Sequence, residues 1–479
     1  MLFNSYEFLV FFPIVVGIYF AIPNRFRWVL LLLASYYFYM CWNYKYIVLI
    51  MVSTVVDYIA GIMIHRTGRK RIRKLLLLAS LFTNLGLLFF FKYFNFFGDS
   101  INTLLDKVNI FYDVPAYNFL LPVGISFYTF QTLSYTIDIY KKKQEPEFHF
   151  GRFALFVSFF PQLVAGPIER SVNLLPQFRK EIDFNYERIK NGILLMGWGF
   201  FKKIVIADRL SEYVNLVYNH PTDFEGIQNV IATFFFSFQI YCDFSGYSDI
   251  AIGAAAVLGY QLMTNFRRPY FAMNVREFWQ RWHISLSTWF RDYVYISLGG
   301  NRVVKWRWYY NLFITFLISG LWHGAEWTFV IWGAIHGFYL VFAIVTQKFR
   351  DKINHAIGLT KVPWLYNLSQ VLVTFALAYI AWIFFRANNV SEAFYILKNH
   401  FVFGGNQAIN LFSNPADFLL SFVFIAVLLV IDFLQERFEI SARLKLLPRY
   451  QKWALLVVFV VVILLFAVWN ETDFLYFQF

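Results

Sequence analysis

Two histidines fall in a stretch otherwise apolar enough for a bilayer: residues 320–337 read GLWHGAEWTFVIWGAIHG and carry His323 and His336. Imidazole titrates near neutrality, and burial keeps it uncharged and able to accept a proton, so His323 is a candidate catalytic base. The alternative is a histidine that merely hydrogen-bonds a neighbouring helix. On one unbroken helix His323 and His336 would stand about 20 Å apart on nearly opposite sides, so they cannot share a substrate. If Gly320 and Gly324 bend the chain around Trp322 and His323, residues 309–319 and 327–346 become the arms of a hairpin. A second imidazole must then come from elsewhere, and His283 is the nearest upstream candidate. His336 is expected to pack or bond locally, while His65, His149, His220, His355 and His400 lie near the ends of apolar runs, where solvation explains them.

A second group of polar residues interrupts residues 227–260, in QIYCDFSGYSDIAIGAAAVLGY: Asp243, Ser245, Tyr247 and Asp249. An intramembrane carboxylate costs about 2.5–3.5 kcal/mol on insertion scales, and so faces a partner or a cavity. A structural ion pair and a site-lining role both satisfy that requirement. Cys41 and Cys242 are the only cysteines, which leaves no disulfide framework, no cysteine-based zinc site and no redox pair, and no metal site is expected. No glycine-rich phosphate loop is visible. Any chemistry therefore falls to histidines, carboxylates and hydroxyls.

The elements that must position these groups follow from composition. The chain has 479 residues, of which 59% are hydrophobic and 15% charged. With a mean hydropathy of +0.52, it carries more apolar surface than a soluble core hides. Runs of spanning length recur at residues 8–22, 47–64, 75–91 and 454–469, and a crossing helix needs roughly 20 residues. The net charge of +13 does not point to nucleic acid, because the basic residues cluster in short connectors at 66–74, 141–143, 267–307, 348–352 and 443–452. Placed inside by the positive-inside rule, these connectors agree on one topology of about ten full crossings with both termini outside. The first apolar segment carries Glu7 and has no basic residues ahead of it, so a retained helix is expected rather than a cleaved signal.

Two stretches depart from greasy helix and short loop. Residues 149–170, HFGRFALFVSFFPQLVAGPIER, are short, cut by Pro161 and basic on both flanks; they predict a re-entrant hairpin, the alternative being a kinked ordinary span, with Gln162 as a candidate site-lining residue. Residues 265–302 are too charged to span and too aromatic for a floppy loop, and predict short helices lying at, or dipping into, the cytoplasmic face, a setting that suits aromatic bodies with cationic tips. His283 lies at their centre. The fold class expected is an all-α polytopic membrane protein of about ten to twelve transmembrane helices, plus re-entrant and interfacial helices, around a central tunnel. It forms a single domain, with N-terminal helices at 1–140, a re-entrant and catalytic core at 141–345 and C-terminal helices at 346–479.

RWHISLSTWFRDYVYISLGGNR followed by SGLWHGAEWTFVIWGAIHG resembles the membrane-bound O-acyltransferase family, in its bacterial polysaccharide O-acetylation branch. FYTFQTLSYTIDIYKKK, SFFPQLVAGPIER, IYCDFSGYSDIAIG and the tail FLYFQF are similar to that branch in the same order, so the resemblance covers most of the chain. It implies an acyltransferase whose family histidine falls on His323, with His283 at the second active-site position. It also implies a cytoplasmic thioester donor, commonly acetyl-CoA, with no bound cofactor. The acceptor implied is an extracytoplasmic polysaccharide, often reached through a secreted partner protein, and the location a bacterial cytoplasmic membrane. Chemistry is consistent with this: a hydroxyl needs a base, and a thioester carbonyl is already activated. His283 would orient His323, bind the thioester or stabilise an oxyanion. Arg267, Arg268, Arg276 and Arg281 are candidate contacts for donor phosphates, and Arg281 and Trp322 also for the site lining; positive-inside loops hold arginines in any case. A transporter or channel with intramembrane His and Asp, and a non-catalytic scaffold for polysaccharide export, remain as alternatives, although no internal repeat of the transporter kind is evident.

Overall fold

A computed structural model of the chain describes residues 1–110, 113–117, 120–402, 409–438, 443, 446–469, 474 and 475. Among them all regular structure is helical. The principal helices, in chain order, are α1 (Tyr6–Ala21), α2 (Asn24–Asn43), α3 (Ile47–Arg66), α4 (Lys70–Leu88), α5 (Ile125–Tyr140), α6 (Phe150–Ser158), α7 (Tyr186–Phe200) and α8 (Ile227–Leu258). There follow α9 (Val275–Arg281), α10 (Ile284–Phe290), α11 (Lys305–His323), α12 (Trp327–Val345), α13 (Pro363–Arg386), α14 (Pro415–Arg437) and α15 (Arg449–Phe466).

Six helical stretches among the described residues are long and apolar enough to cross a membrane: Asn24–Arg66, Lys70–Lys107, Trp327–Val345, Pro363–Arg386, Pro415–Arg437 and Arg449–Phe466. The first holds α2 and α3 and, at 43 residues, is twice the roughly 20 that a crossing needs. Helices enclosed by protein need less apolar surface than these: α8 is buried almost throughout and tolerates Asp243 and Ser245. On α15, by contrast, no residue is buried, and Val457, Val458, Leu464 and Leu465 face outward as a lipid-contacting helix requires.

The chain forms two compact units, one of Met1–Gly197 with Ser248–Thr264 and the other of Trp198–Tyr247 with Asn265–Phe479. Helices α7 and α8 contribute to both. In the first unit, α3, α4 and α5 pack around Asp57, whose carboxylate accepts from Ser80 Oγ, from Asn84 Nδ2 at 2.8 Å and from Thr136 Oγ1 at 3.0 Å. The stretch after α6 breaks at Phe159 and resumes as the single turn Phe160–Leu163. That break frees backbone groups, and side chains take them up. Ser35 Oγ accepts the Phe160 N–H at 3.0 Å, and Gln162 Nε2 donates to the Phe156 carbonyl at 2.9 Å. Residues 153–170 are all buried, the condition under which irregular backbone survives at membrane depth.

In the second unit, α11 and α12 form a tight hairpin. A Cβ on Gly320 would stand 2.3 Å from the Phe329 carbonyl oxygen, and one on Gly333 2.4 Å from that of Phe316, so only glycine permits this approach. The sequence placed the bend at both Gly320 and Gly324. Only Gly324 lies outside the helix: α11 runs through Gly320, whose missing side chain serves the contact with α12 rather than a turn. Residues 265–302 do form short helices, but their aromatic rings point into the core: Phe278, Trp279, Trp282, Trp289 and Phe290 are all buried. These bodies fill protein space around α8, α12 and α13.

Candidate active site

His323 is the last residue of α11; Gly324 then turns extended and α12 starts at Trp327. The glycine contacts between the two helices therefore fix where this imidazole stands. Its ring is 2% exposed and is enclosed by Trp322 at 5.0 Å, Trp332 at 4.9 Å and Phe385 of α13 at 5.4 Å, centroid to centroid.

His283 reaches the same place by a different route. Helix α9 begins at the N-cap Asn274, whose side chain accepts the Glu277 N–H, while Glu277 accepts the Met273 N–H at 2.9 Å, a variant of the capping box. The helix stops at Trp282, and His283 takes a left-handed conformation with φ of 43° before α10 begins. Asn265 holds this turn: its carbonyl accepts the Ile284 N–H at 2.8 Å, and its side-chain oxygen contacts His283 Nδ1 at 3.1 Å, Ser285 N at 3.2 Å and Ser285 Oγ at 2.9 Å. Phe244 of α8 meets the imidazole edge to face at 4.5 Å. Burial pushes the pKa of His283, which lies outside the spanning helices, down to about 3, so the ring is neutral near pH 7. The His283 and His323 rings are 6.4 Å apart, and Trp322 borders both. Two histidines forty positions apart in sequence thus meet within the second unit.

The other candidates divide. Phe244 faces His283, but its neighbours turn elsewhere. Asp243 pairs with Lys203 at 2.6 Å and accepts the Leu475 N–H at 2.9 Å. Ser245 accepts from Lys202 Nζ at 2.9 Å. Tyr247 meets the tilted ring of Phe474 at 4.9 Å, centroid to centroid. Asp243 thus occupies the ion pair that was one of its two sequence readings, and it ties down Phe474 and Leu475 of the aromatic tail; Tyr476 to Phe479 lie outside the described residues. Gln162 and Asp249 belong to the other unit. His336 accepts from Trp279 Nε1 at 3.3 Å, the local bond expected of it, and touches Trp332 rather than the histidine pair. Arg268 and Arg281 both bind Glu436, at 2.7 and 2.8 Å, and Arg281 also binds Glu277 at 2.7 Å. Arg267 and Arg276 are exposed.

Sequence reasoning missed Asn265, Phe244, Lys203 and Glu436. Asn265 opens the charged aromatic stretch as a short polar residue with complete burial, but its bond spans 18 positions and leaves no local pattern. Lys202 and Lys203 sit in a π-helical turn, Phe201–Ala207, a device that re-aims side chains and was invisible in the residue types alone.

Two buried imidazoles within reach of one small group, with no metal-binding cluster among the described residues, can carry proton transfer to or from a hydroxyl. Residues 147–387 match the family model described as MBOAT, membrane-bound O-acyltransferase family, a segment that contains both histidines. The chain is a membrane-bound O-acyltransferase family member. It is 40% identical over 408 residues to the probable alginate O-acetylase AlgI of Pseudomonas aeruginosa, covering 84% of this chain and 75% of that one. It is 37% identical over 419 residues to the peptidoglycan O-acetyltransferase of Helicobacter pylori, covering 81% and 76%. A more distant relative is the teichoic acid D-alanyltransferase of Bacillus subtilis, 27% identical over 252 residues, 50% of this chain and 62% of that one. The protein is accordingly a multi-pass membrane enzyme that transfers acyl groups to hydroxyls.

Proposed function

We propose that this acyltransferase moves an acetyl group from acetyl-CoA on the cytoplasmic side toward hydroxyls of an extracytoplasmic polysaccharide, with a secreted acetyltransferase-like partner completing the delivery. The enzyme sits in a bacterial cytoplasmic membrane with its basic connectors inside. The observation that carries this reading is the 6.4 Å approach of two buried imidazoles, His283 and His323. Relatives named for O-acetylation align over four-fifths of the chain, whereas the D-alanyl relative aligns over half, which favours acetyl as the group carried.

His323 takes the proton of the acceptor hydroxyl as its oxygen bonds to the thioester carbonyl carbon. The carbon–sulfur bond then breaks, and the proton on His323 passes to the departing thiolate, so the base is regenerated. His283 stands across the reacting centre and holds the hydroxyl in line. Arg267 and Arg276, exposed on the segment that carries His283, supply contacts for the donor phosphates.

The test is label transfer from radiolabelled acetyl-CoA to cell-envelope polysaccharide, with the enzyme reconstituted in vesicles beside its secreted partner. His323→Ala should lower transfer by about a hundredfold or more. Undiminished transfer by that variant would remove the catalytic assignment, and ion transport by the vesicles would favour a transporter instead.

A further inference from the structure

We propose that Asn265 is a positioning residue that fixes the tautomer of His283, so that this ring faces the reacting centre as a proton acceptor. The inference rests on the reading that His283 and His323 flank that centre. Its geometry is internally determined. The Ser285 backbone N–H points at the Asn265 side-chain amide at 3.2 Å, and a backbone N–H only donates. The atom facing it is therefore the amide oxygen, because a flipped amide would oppose two donors. That same oxygen lies 3.1 Å from His283 Nδ1 and carries no hydrogen of its own, so Nδ1 supplies the proton to the bond. In a neutral imidazole the lone pair then belongs to Nε2.

The backbone secures this arrangement. Asn265 is fully buried, its carbonyl accepts the Ile284 N–H, and its side chain grips residues 283 and 285 on either side. His283 adopts the left-handed conformation without being glycine, a state that persists only where surroundings over-determine it. The groups that face the ring include Phe244 from α8, Phe266, Trp322 and His323 from α11, and Asn265; of these His323 is titratable. A neutral His283 whose hydrogen is committed to Asn265 has none to offer a developing oxyanion. It accepts instead, from the acceptor hydroxyl or from His323 once that ring is protonated, and oxyanion stabilisation falls to other donors.

Three variants assayed for kcat, KM and pH dependence in the reconstituted system test this. Asn265→Ala should lower kcat by about 10- to 100-fold, the usual loss when a histidine's orienting partner goes, with KM for acetyl-CoA nearly unchanged. Asn265→Asp keeps an acceptor oxygen in place, so it should restore most of the kcat at alkaline pH. Its charge favours the imidazolium, so the acid limb of the kcat profile should move up by about one pH unit or more. His283→Gln should be inactive. If His283→Gln is inactive but Asn265→Asp shows the wild-type acid limb, the positioning role is overturned and the function stands. If His283→Gln turns over like wild type, the functional reading itself fails. Should Asn265→Ala not fold, the Asn265→Asp profile decides alone.

Discussion

The molecule buries two polar clusters in two different ways. In the first unit Asp57 is surrounded by Ser80, Asn84 and Thr136, and the hydrogen bonds close on themselves: each carboxylate oxygen meets a hydroxyl or amide from a neighbouring helix. In the second unit His283 is backed by Asn265 along one edge, and its remaining neighbours, like those of His323, are mostly aromatic rings. The Asp57 cluster has the form of glue, since its polarity is consumed in joining α3, α4 and α5. The histidine cluster has the form of a site. One edge of His283 is spent on orientation, and two groups that titrate near neutrality in water are brought within one small molecule's reach. Burial of polarity does not by itself distinguish the two; the direction in which the hydrogen bonds run does.

Substitutions that pull rate and stability apart break this comparison most sharply. His323→Ala should cost about 10²- to 10⁴-fold in acetyl transfer, the range of a general base, while the detergent-solubilised protein melts near the wild-type temperature. Asp243→Ala comes next. It removes one of two carboxylates from the buried ammonium of Lys203, the other being Asp208 at 2.8 Å, and it releases the Leu475 N–H. A loss of about 2–4 kcal/mol is expected, read as a lower melting temperature and faster proteolysis at the C-terminal tail. Asp57→Leu should cost less, about 1–3 kcal/mol, because its partners are neutral and membrane hydrogen bonds are individually modest. Its rate per folded molecule should stay near wild type, as measured by active-fraction titration. A rate loss without a stability loss would move Asp57 from glue to site.

Much of this organisation was legible in the sequence, and the gaps have physical causes. The all-helical membrane fold follows from hydropathy and length, and the hairpin around His323 from glycines within a helical pattern. The break near Pro161 follows from proline's missing N–H. What stayed hidden were contacts set by packing between distant segments. Gly246 and Gly253 lie within α8, yet α8 is unbroken. Each glycine instead admits a backbone: a Cβ on Gly246 would stand 2.8 Å from the Gly199 carbonyl, and one on Gly253 2.5 Å from that of Gly192. Asp243 left two readings open because residue type cannot say whether a lysine waits on another helix. The pairing of His283 with His323 was expected from order along the chain and from family resemblance, but Asn265 behind His283 required coordinates.

The smallest effect belongs to Glu436, and it sharpens the electrostatic side of the comparison. Its carboxylate receives Arg268 on one oxygen and Arg281 on the other, so a single acid from α14 ties two guanidiniums of the segment that carries His283. Both partners are partly exposed to solvent, and screening leaves such pairs worth about 0.5–1 kcal/mol. Glu436→Gln should therefore lower the melting temperature only slightly. It also removes the anion that occupies two arginines, while Arg281 keeps Glu277. If donor phosphates meet this basic segment, the freed Arg268 should lower KM for acetyl-CoA about two- to threefold at low salt, with kcat unchanged, and the gain should fade as salt screens the charge. An unchanged KM at every salt concentration would assign these arginines to holding the loop, leaving Arg267 and Arg276 to meet the donor.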